Sequence, residues 1–259
     1  MTPWVVYVVN LRGDNERWET VKASIGHLDW IRLLRIEAVY GSGLPDDVCI
    51  RLTGDRYSVI AKGAIGCALS HVRAWEMISK GEEPWVLIIE DDAVIENIAA
   101  LKSVVLPDEL DFAFCNHRTQ PNTSLAPSEA RSGQPDYISV ERCLLSIEAR
   151  RRAVGTDGYF ISRAGANKLV NLFKQHGYFG HVDIRMMAYA LDGHEMNQIL
   201  PETSWLRQGV SQIQRVTGTL KSVTASVFSP ALTTHDALKE TSRTREDRLG
   251  TIGGNPPVP

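Results

Sequence analysis

The segment Trp85–Glu96, WVLIIEDDAVIE, constrains the fold more than any other stretch of this 259-residue chain. Consecutive apolar residues from Trp85 to Ile89 run directly into Glu90, Asp91 and Asp92. An uninterrupted apolar run reads as a strand covered on both faces, as in a parallel sheet. Three adjacent carboxylates cannot share that core unpaired, because burying an isolated charge is prohibitive. They are expected at the C-terminal edge of the sheet, where open α/β folds bind ligands. Side chains two apart on a strand point the same way, which places Glu90 and Asp92 to face one site and hold a hard divalent cation through oxygen. Such a cation suits a diphosphate leaving group, whose developing charge it neutralises. A solvated acidic turn is the competing reading, and the run alone does not choose between them.

The remaining patterns fit one α/β domain over about residues 1–240. Val5–Val9 reads as the first strand, and Asn10 to Asp14 as a turn. Trp18, Val21, Ile25 and Leu28 then step at helical spacing. Ile31–Val39 is the second strand, and Gly41–Asp55 reads as a Gly/Pro/Asp-rich loop. In the helix from Gly63 to Lys80, Ile65, Leu69, Val72 and Trp75 form one buried stripe, with Cys67, Ser70, His71 and Ala74 beside it. Asp111–Asn116 and Gly158–Ser162 are further strands. Helices follow, one with Ala166, Leu169, Val170 and Phe173 inward and one over Val182–Leu191. Arg118–Tyr137 has no period, and a loop of that length in a compact domain is commonly functional or disordered. Residues 241–259 turn charged and then Gly/Pro-rich, and read as a mobile tail. The repeated strand–helix units of the first half imply a parallel sheet with Rossmann-like winding. No GxGxxG follows the first strand, which argues against a dinucleotide site.

A net charge of -3 argues against a nucleic-acid binder held by phosphate contacts. Cys49, Cys67, Cys115 and Cys143 form no CxxC pair, so neither a zinc site nor a disulfide framework is indicated, and a reducing compartment is the default. The start, MTPWVVYVVNLRGD, has no basic n-region and too short an apolar run for a signal peptide or a membrane span. The expectation is a cytoplasmic protein, or one peripheral at the inner face of a membrane through surface contacts.

Several polar residues carry two readings each. Arg12 and Arg17 flank the start of the first helix, a setting suited to phosphate or simply to surface arginines. Asn10, at the strand end, is placed to read a nucleobase or ribose edge. Ser70 and His71 either hydrogen-bond a sugar or phosphate or pack their helix. A Ser-His hydrolase is unsupported, since no GxSxG elbow is present. Asp183 is a helix cap or a general base. The GYFGH segment, Gly177–His181, offers an aromatic approach on which a sugar could stack, and His235 is an exposed polar residue or a late metal ligand.

Taken together, these segments resemble glycosyltransferase family 25, of the lipooligosaccharide galactosyltransferase type. The resemblance rests on VVYVVNLRGDNER (Val5–Arg17), IEAVYG (Ile36–Gly41), GAIGCALSHVRAWE (Gly63–Glu76), WVLIIEDDAVI (Trp85–Ile95), GTDGYFISRAGANKLV (Gly155–Val170) and HVDIRM (His181–Met186). Beyond Asp192 only SPALTTHD offers a faint match. The resemblance implies a GT-A fold with a donor half of about residues 1–115 and an acceptor half of about 116–240. It implies inverting transfer of a hexose, usually galactose, from a UDP-sugar to a glycan or glycolipid acceptor. Mn²⁺, or Mg²⁺, would be held by the acidic motif in the role of DxD, which here begins with a glutamate. Asp92 is the first choice as ligand, with Glu90 and His235 beside it. Asn10, Leu11, Arg12, Arg17, Gly66, Ser70, His71, Glu90 and Asp91 would hold the nucleotide-sugar. Asp183 would act as base. Asp157, at a position where a small or apolar residue is expected, is a substrate contact or a second base. Two other functions use the same residues: a metal-dependent phosphohydrolase, and a non-catalytic nucleotide- or glycan-binding protein. No second group of His and Asp ligands builds an obvious two-metal site, which counts against the first.

Overall fold

The computed structural model describes residues 3–54, 56, 62–116, 136–140, 155–193, 198, 200–202, 204–218, 221–229 and 231–235. Most of the Arg118–Tyr137 stretch and the whole 241–259 tail lie outside the described residues. The elements are β1 (Trp4–Leu11), α1 (Asn15–Ile25), β2 (Ile31–Ala38), α2 (Asp46–Thr53), α3 (Lys62–Lys80), β3 (Trp85–Glu90), β4 (Ala93–Ile95) and β5 (Phe112–Phe114). They continue with β6 (Asp136–Ser139), β7 (Gly158–Ser162), α4 (Arg163–His176), α5 (Val182–Ala190), α6 (Trp205–Thr217), β8 (Ala225–Ser229) and β9 (Thr233–His235).

Among the described residues, seven strands form one sheet in the order β2-β1-β3-β7-β5-β8-β6, and β4 pairs with β9 separately. β1 runs parallel to both β2 and β3, the expected Rossmann-like winding. Beyond β3 the sheet becomes mixed, because β7 is antiparallel to β3 and to β5. The apolar run of β3 is buried on both faces. Val86 and Ile88 join the core under α3 and α4, while Leu87 and Ile89 join the core on the opposite face with Val21 and Ile25 of α1. β1 divides the same way, Val5, Tyr7 and Val9 against Val6 and Val8. The stripe Ile65, Leu69, Val72 and Trp75 is fully buried.

One element departs from the sequence reading, and a second, α6, lies where that reading placed no element. The Gly41–Asp55 segment is not all loop: a 3₁₀ turn at Gly41–Gly43 leads into α2. Pro45 precedes that helix and Asp46 and Asp47 occupy its first turn, where the dipole favours acids. α6 carries Leu206, Val210 and Ile213 on its buried side, a Ser204 hydroxyl that accepts from the Arg207 N–H, and Gly218 at φ 64° just past its end. Among the described residues, no helix is long and apolar enough to cross a membrane.

Close packing joins α3 to the end of β2. Gly66 lies against backbone, and a Cβ there would stand 2.6 Å from the Gly41 Cα. One turn on, the Ser70 hydroxyl accepts from the Val39 N–H at 2.8 Å and donates to the Gly66 carbonyl at 2.6 Å. These contacts set the helix at the C-terminal edge of the parallel strands.

Candidate active site

The ends of β1, β2 and β3 and the first half of α3 enclose a cleft of about 190 Å³. Leu11, Ala38 and Val39 form one side, Gly63, Cys67 and His71 another, and Glu90, Asp91 and Asp92 the floor. The acidic run therefore emerges where the sheet edge predicts. Its geometry is not a strand alternation, however, because β3 ends at Glu90 and the two aspartates occupy the following turn.

Each carboxylate has its own surroundings. Glu90 Oε1 lies 3.3 Å from His71 Nε2 and accepts from the Thr156 hydroxyl. Asp91 accepts from Arg17 Nη1 at 2.9 Å and from Asn10 Nδ2 at 2.5 Å. Asp92 is buried, with Oδ2 3.7 Å from Arg17 Nη1. Burial pushes Asp91 up to about 6, against the opposing pull of Arg17 and Asn10. Burial also works against the Arg17 charge, but Asp91, Asp92 and Asp14 together hold the guanidinium above its ordinary value.

Arg17 is 5% exposed on the inner side of α1, whereas the Arg12 side chain is 74% exposed with Glu37 as its nearest acid at 3.9 Å. The two arginines do not converge, and Arg17 is committed to carboxylates. Asn10 is buried; its amide donates to Asp91 and, at 3.0 Å, to the Asp14 carbonyl. Its buried Oδ1 has no hydrogen-bond partner among the described residues. Asp14 caps α1, accepting from the Arg17 N–H. Among the described lining residues, four carboxylates, Asp14, Glu90, Asp91 and Asp92, thus stand against the single cation Arg17.

Gly66 and Ser70 make the packing contacts described above, although Ser70 also reaches the cleft wall. His71 is fully buried. Asp157 is 4% exposed, and its carbonyl accepts from the Glu90 N–H at 3.4 Å. Asp183 lies in the first turn of α5, where its carboxylate accepts from the Ile184 N–H at 2.8 Å; it does not line the cleft, but the preceding His181 does. Tyr178 and Phe179 are core residues and not a stacking platform: both are buried, and the Arg185 guanidinium sits 4.5 Å over the Phe179 ring. The His235 backbone pairs with Ala93 beside Asp92, while its side chain lies outside the described residues.

Sequence reasoning missed Cys67, Thr156 and Tyr159 at this site. Cys67 and His71 are four apart on α3 and share one helix side. Together with Glu90 they bring potential ligand atoms within 4.8 Å of one another.

Fold and site define a mixed α/β protein with an acidic cleft at the C-terminal ends of three parallel strands. Residues 4–186 match the family described as Glycosyltransferase family 25 (LPS biosynthesis protein), and the chain belongs to that family. Among solved structures, it is similar to the apo-form glycosyltransferase GlyE of Streptococcus pneumoniae TIGR4 at 12% identity and a TM-score of 0.38. That similarity covers 98% of this chain and 61% of the GlyE chain. The galactosyltransferase LgtC, in complex with donor and acceptor sugar analogues, is similar at 10% identity and a TM-score of 0.37, over 97% of both chains. Mouse xyloside xylosyltransferase 1 is similar at 13% identity and a TM-score of 0.33, over 90% of this chain and 84% of its own. Likeness at this level transfers no residue role. No curated protein matches the chain in a sequence comparison.

Proposed function

We propose that this protein is a metal-dependent inverting glycosyltransferase of GT-A type. In this reading it moves a hexose, galactose first, from a UDP-sugar to a hydroxyl of a glycan or glycolipid. The observation that carries the reading is the charge of the cleft: four carboxylates against one arginine among the described lining residues, at the sheet edge of a family 25 chain. A surplus of hard oxygen donors fits Mn²⁺ or Mg²⁺. Asp92 would hold the ion, and Glu90 and His235 are the further candidates. When bound, such a cation neutralises charge on a diphosphate leaving group.

The residues of the chain supply the remaining functions. Asn10, buried behind the cleft wall, serves the nucleotide through the acidic turn, because its amide donates to Asp91 and to the Asp14 carbonyl. Arg17 holds Asp91 in place and balances part of the acidic charge. Asp183, near the cleft-lining His181, takes the proton from the attacking hydroxyl. Asp157 lies beside Glu90, whose N–H its carbonyl accepts, and is too deeply buried to meet an acceptor, so it supports the cleft floor instead. A single displacement opposite the departing UDP inverts the anomeric centre.

The test is UDP release from a panel of UDP-sugars with and without Mn²⁺, in the wild type and in Asp92→Ala. Release that prefers UDP-galactose, requires the ion and disappears in the variant is the expected result. Turnover that is indifferent to metal, or survives in Asp92→Ala, refutes the assignment. Release of inorganic phosphate without an acceptor would instead identify a phosphohydrolase.

A further inference from the structure

The hydrogen bonds beneath the acidic floor can be assigned proton by proton. Trp75, Tyr159 and His71 are all fully buried. An indole N–H only donates, so the 2.8 Å contact of Trp75 Nε1 with the Tyr159 hydroxyl occupies a lone pair of the phenol oxygen. That oxygen still has one proton to place, and its other partner is His71 Nδ1, at 2.8 Å. If Nδ1 carried a proton, the phenol oxygen would receive two donors and its own proton would be buried without an acceptor, which the interior penalises. Burial also holds the Tyr159 phenol well above its ordinary value, so the proton stays on oxygen. Tyr159 therefore donates to Nδ1. The His71 proton sits on Nε2 and points at Glu90 Oε1, 3.3 Å away. The Thr156 hydroxyl donates to the same Glu90 oxygen.

We propose that Trp75, Tyr159 and His71 form a one-directional hydrogen-bond chain that fixes Glu90 as an acceptor for donor-sugar hydroxyls and leaves His71 no bare nitrogen with which to ligate a cation. Trp75 and Tyr159 are then positioning residues that act through His71. The sugar contact rests on the transferase reading above; the proton assignment does not. The competing arrangement is a metal on Cys67, His71 and Glu90, whose potential ligand atoms lie within 4.8 Å of one another. A thiolate, an imidazole and a carboxylate would suit Zn²⁺. That site needs a bare Nε2 and hence a proton on Nδ1, the arrangement against which the Trp75 donor argues. Glu90 keeps 26% of its side chain exposed, so it is anchored from below while it reaches the cleft.

The experiment uses the full chain labelled with ¹⁵N-histidine. A long-range ¹H–¹⁵N spectrum separates protonated from bare ring nitrogens, first without metal and then with Zn²⁺. The His71 signals are identified by their loss in His71→Gln. Tyr159→Phe, which removes only a hydroxyl, identifies them independently. We expect a protonated Nε2 and a bare Nδ1, with Nδ1 moving toward the position of an unbonded nitrogen in Tyr159→Phe and neither signal responding to Zn²⁺. A protonated Nδ1, or a Zn²⁺-shifted Nε2, overturns the assignment. A second readout is the Kd for the UDP-sugar. It should rise about tenfold in Tyr159→Phe but change less than about twofold when the same substitution is made in a Glu90→Ala background. Equal losses in both backgrounds overturn the positioning role. A wild type that binds no UDP-sugar refutes the transferase reading and leaves the proton assignment standing.

Discussion

Gly66→Ala isolates the packing that sets α3 against the cleft. The new Cβ would stand 2.6 Å from both the Cα and the N of Gly41, and 2.8 Å from the Val39 carbonyl oxygen. Carbon atoms in contact prefer about 3.5–4.0 Å, so α3 and the turn after β2 must separate by roughly 1 Å. All three obstructing atoms are backbone, and no side chain can swing aside. The same separation would stretch the 2.8 Å bond from the Val39 N–H to Ser70 Oγ beyond hydrogen-bond range. Overpacking and the loss of one buried hydrogen bond together cost about 2–4 kcal/mol. For a domain of this size that corresponds to a fall in Tm of roughly 4–16 °C. Thermal unfolding followed by circular dichroism measures it. Gly81→Ala is the comparator, because its Cβ would meet the Met77 carbonyl oxygen at 3.3 Å and little else. A Gly66→Ala Tm no lower than that of Gly81→Ala refutes the steric argument. A stable Gly66→Ala protein with weakened UDP-sugar binding would return Gly66 to the role of a ligand contact.

Arg17→Met removes the one cation among the described lining residues and leaves Asp14, Asp91 and Asp92 facing one another. Breaking a buried charge cluster on one side costs about 3–5 kcal/mol, and Mn²⁺ should restore more stability to this variant than to the wild type; urea unfolding unchanged by the substitution would sink the idea. Asp91 titrates at about 6 in the fold against 3.8 ordinarily, so between those values the folded chain binds more protons than the unfolded one. Stability should therefore fall as pH rises through that window, by up to roughly 3 kcal/mol, and level off above it; a urea-unfolding slope that persists in Asp91→Asn assigns the effect elsewhere. Asp183→Asn should lower turnover by about 10²–10⁴-fold with donor affinity nearly unchanged, and full activity in steady-state kinetics would remove Asp183 from the role of base.

What could be read from the sequence depended on whether a residue's surroundings repeat with the chain. β3 was legible because burial on both faces leaves an unbroken apolar run, and α3 because Ile65, Leu69, Val72 and Trp75 recur at helical spacing. α2 spans only 8 residues, about two turns, too few for a period to stand out. α6 was legible in principle, through Ser204, the Leu206–Val210–Ile213 spacing and Gly218. Arg12 and Arg17 look equivalent as a flanking pair, yet Arg17, Val21 and Ile25 step by four along one buried stripe of α1. A charge on such a stripe needs a buried partner, and the acidic run at the end of a buried strand is the matching set. The pairing of Arg17 with residues 90–92 was therefore within reach of sequence reasoning. Its finer assignment was not: β3 ends at Glu90, the two-residue alternation ends with it, and only the turn decides that Asp91 rather than Asp92 takes the 2.9 Å contact. The Trp75–Tyr159–His71 chain was out of reach for a different reason, since its bonds join residues 84 and 88 positions apart whose meeting is set by α3 lying over β7.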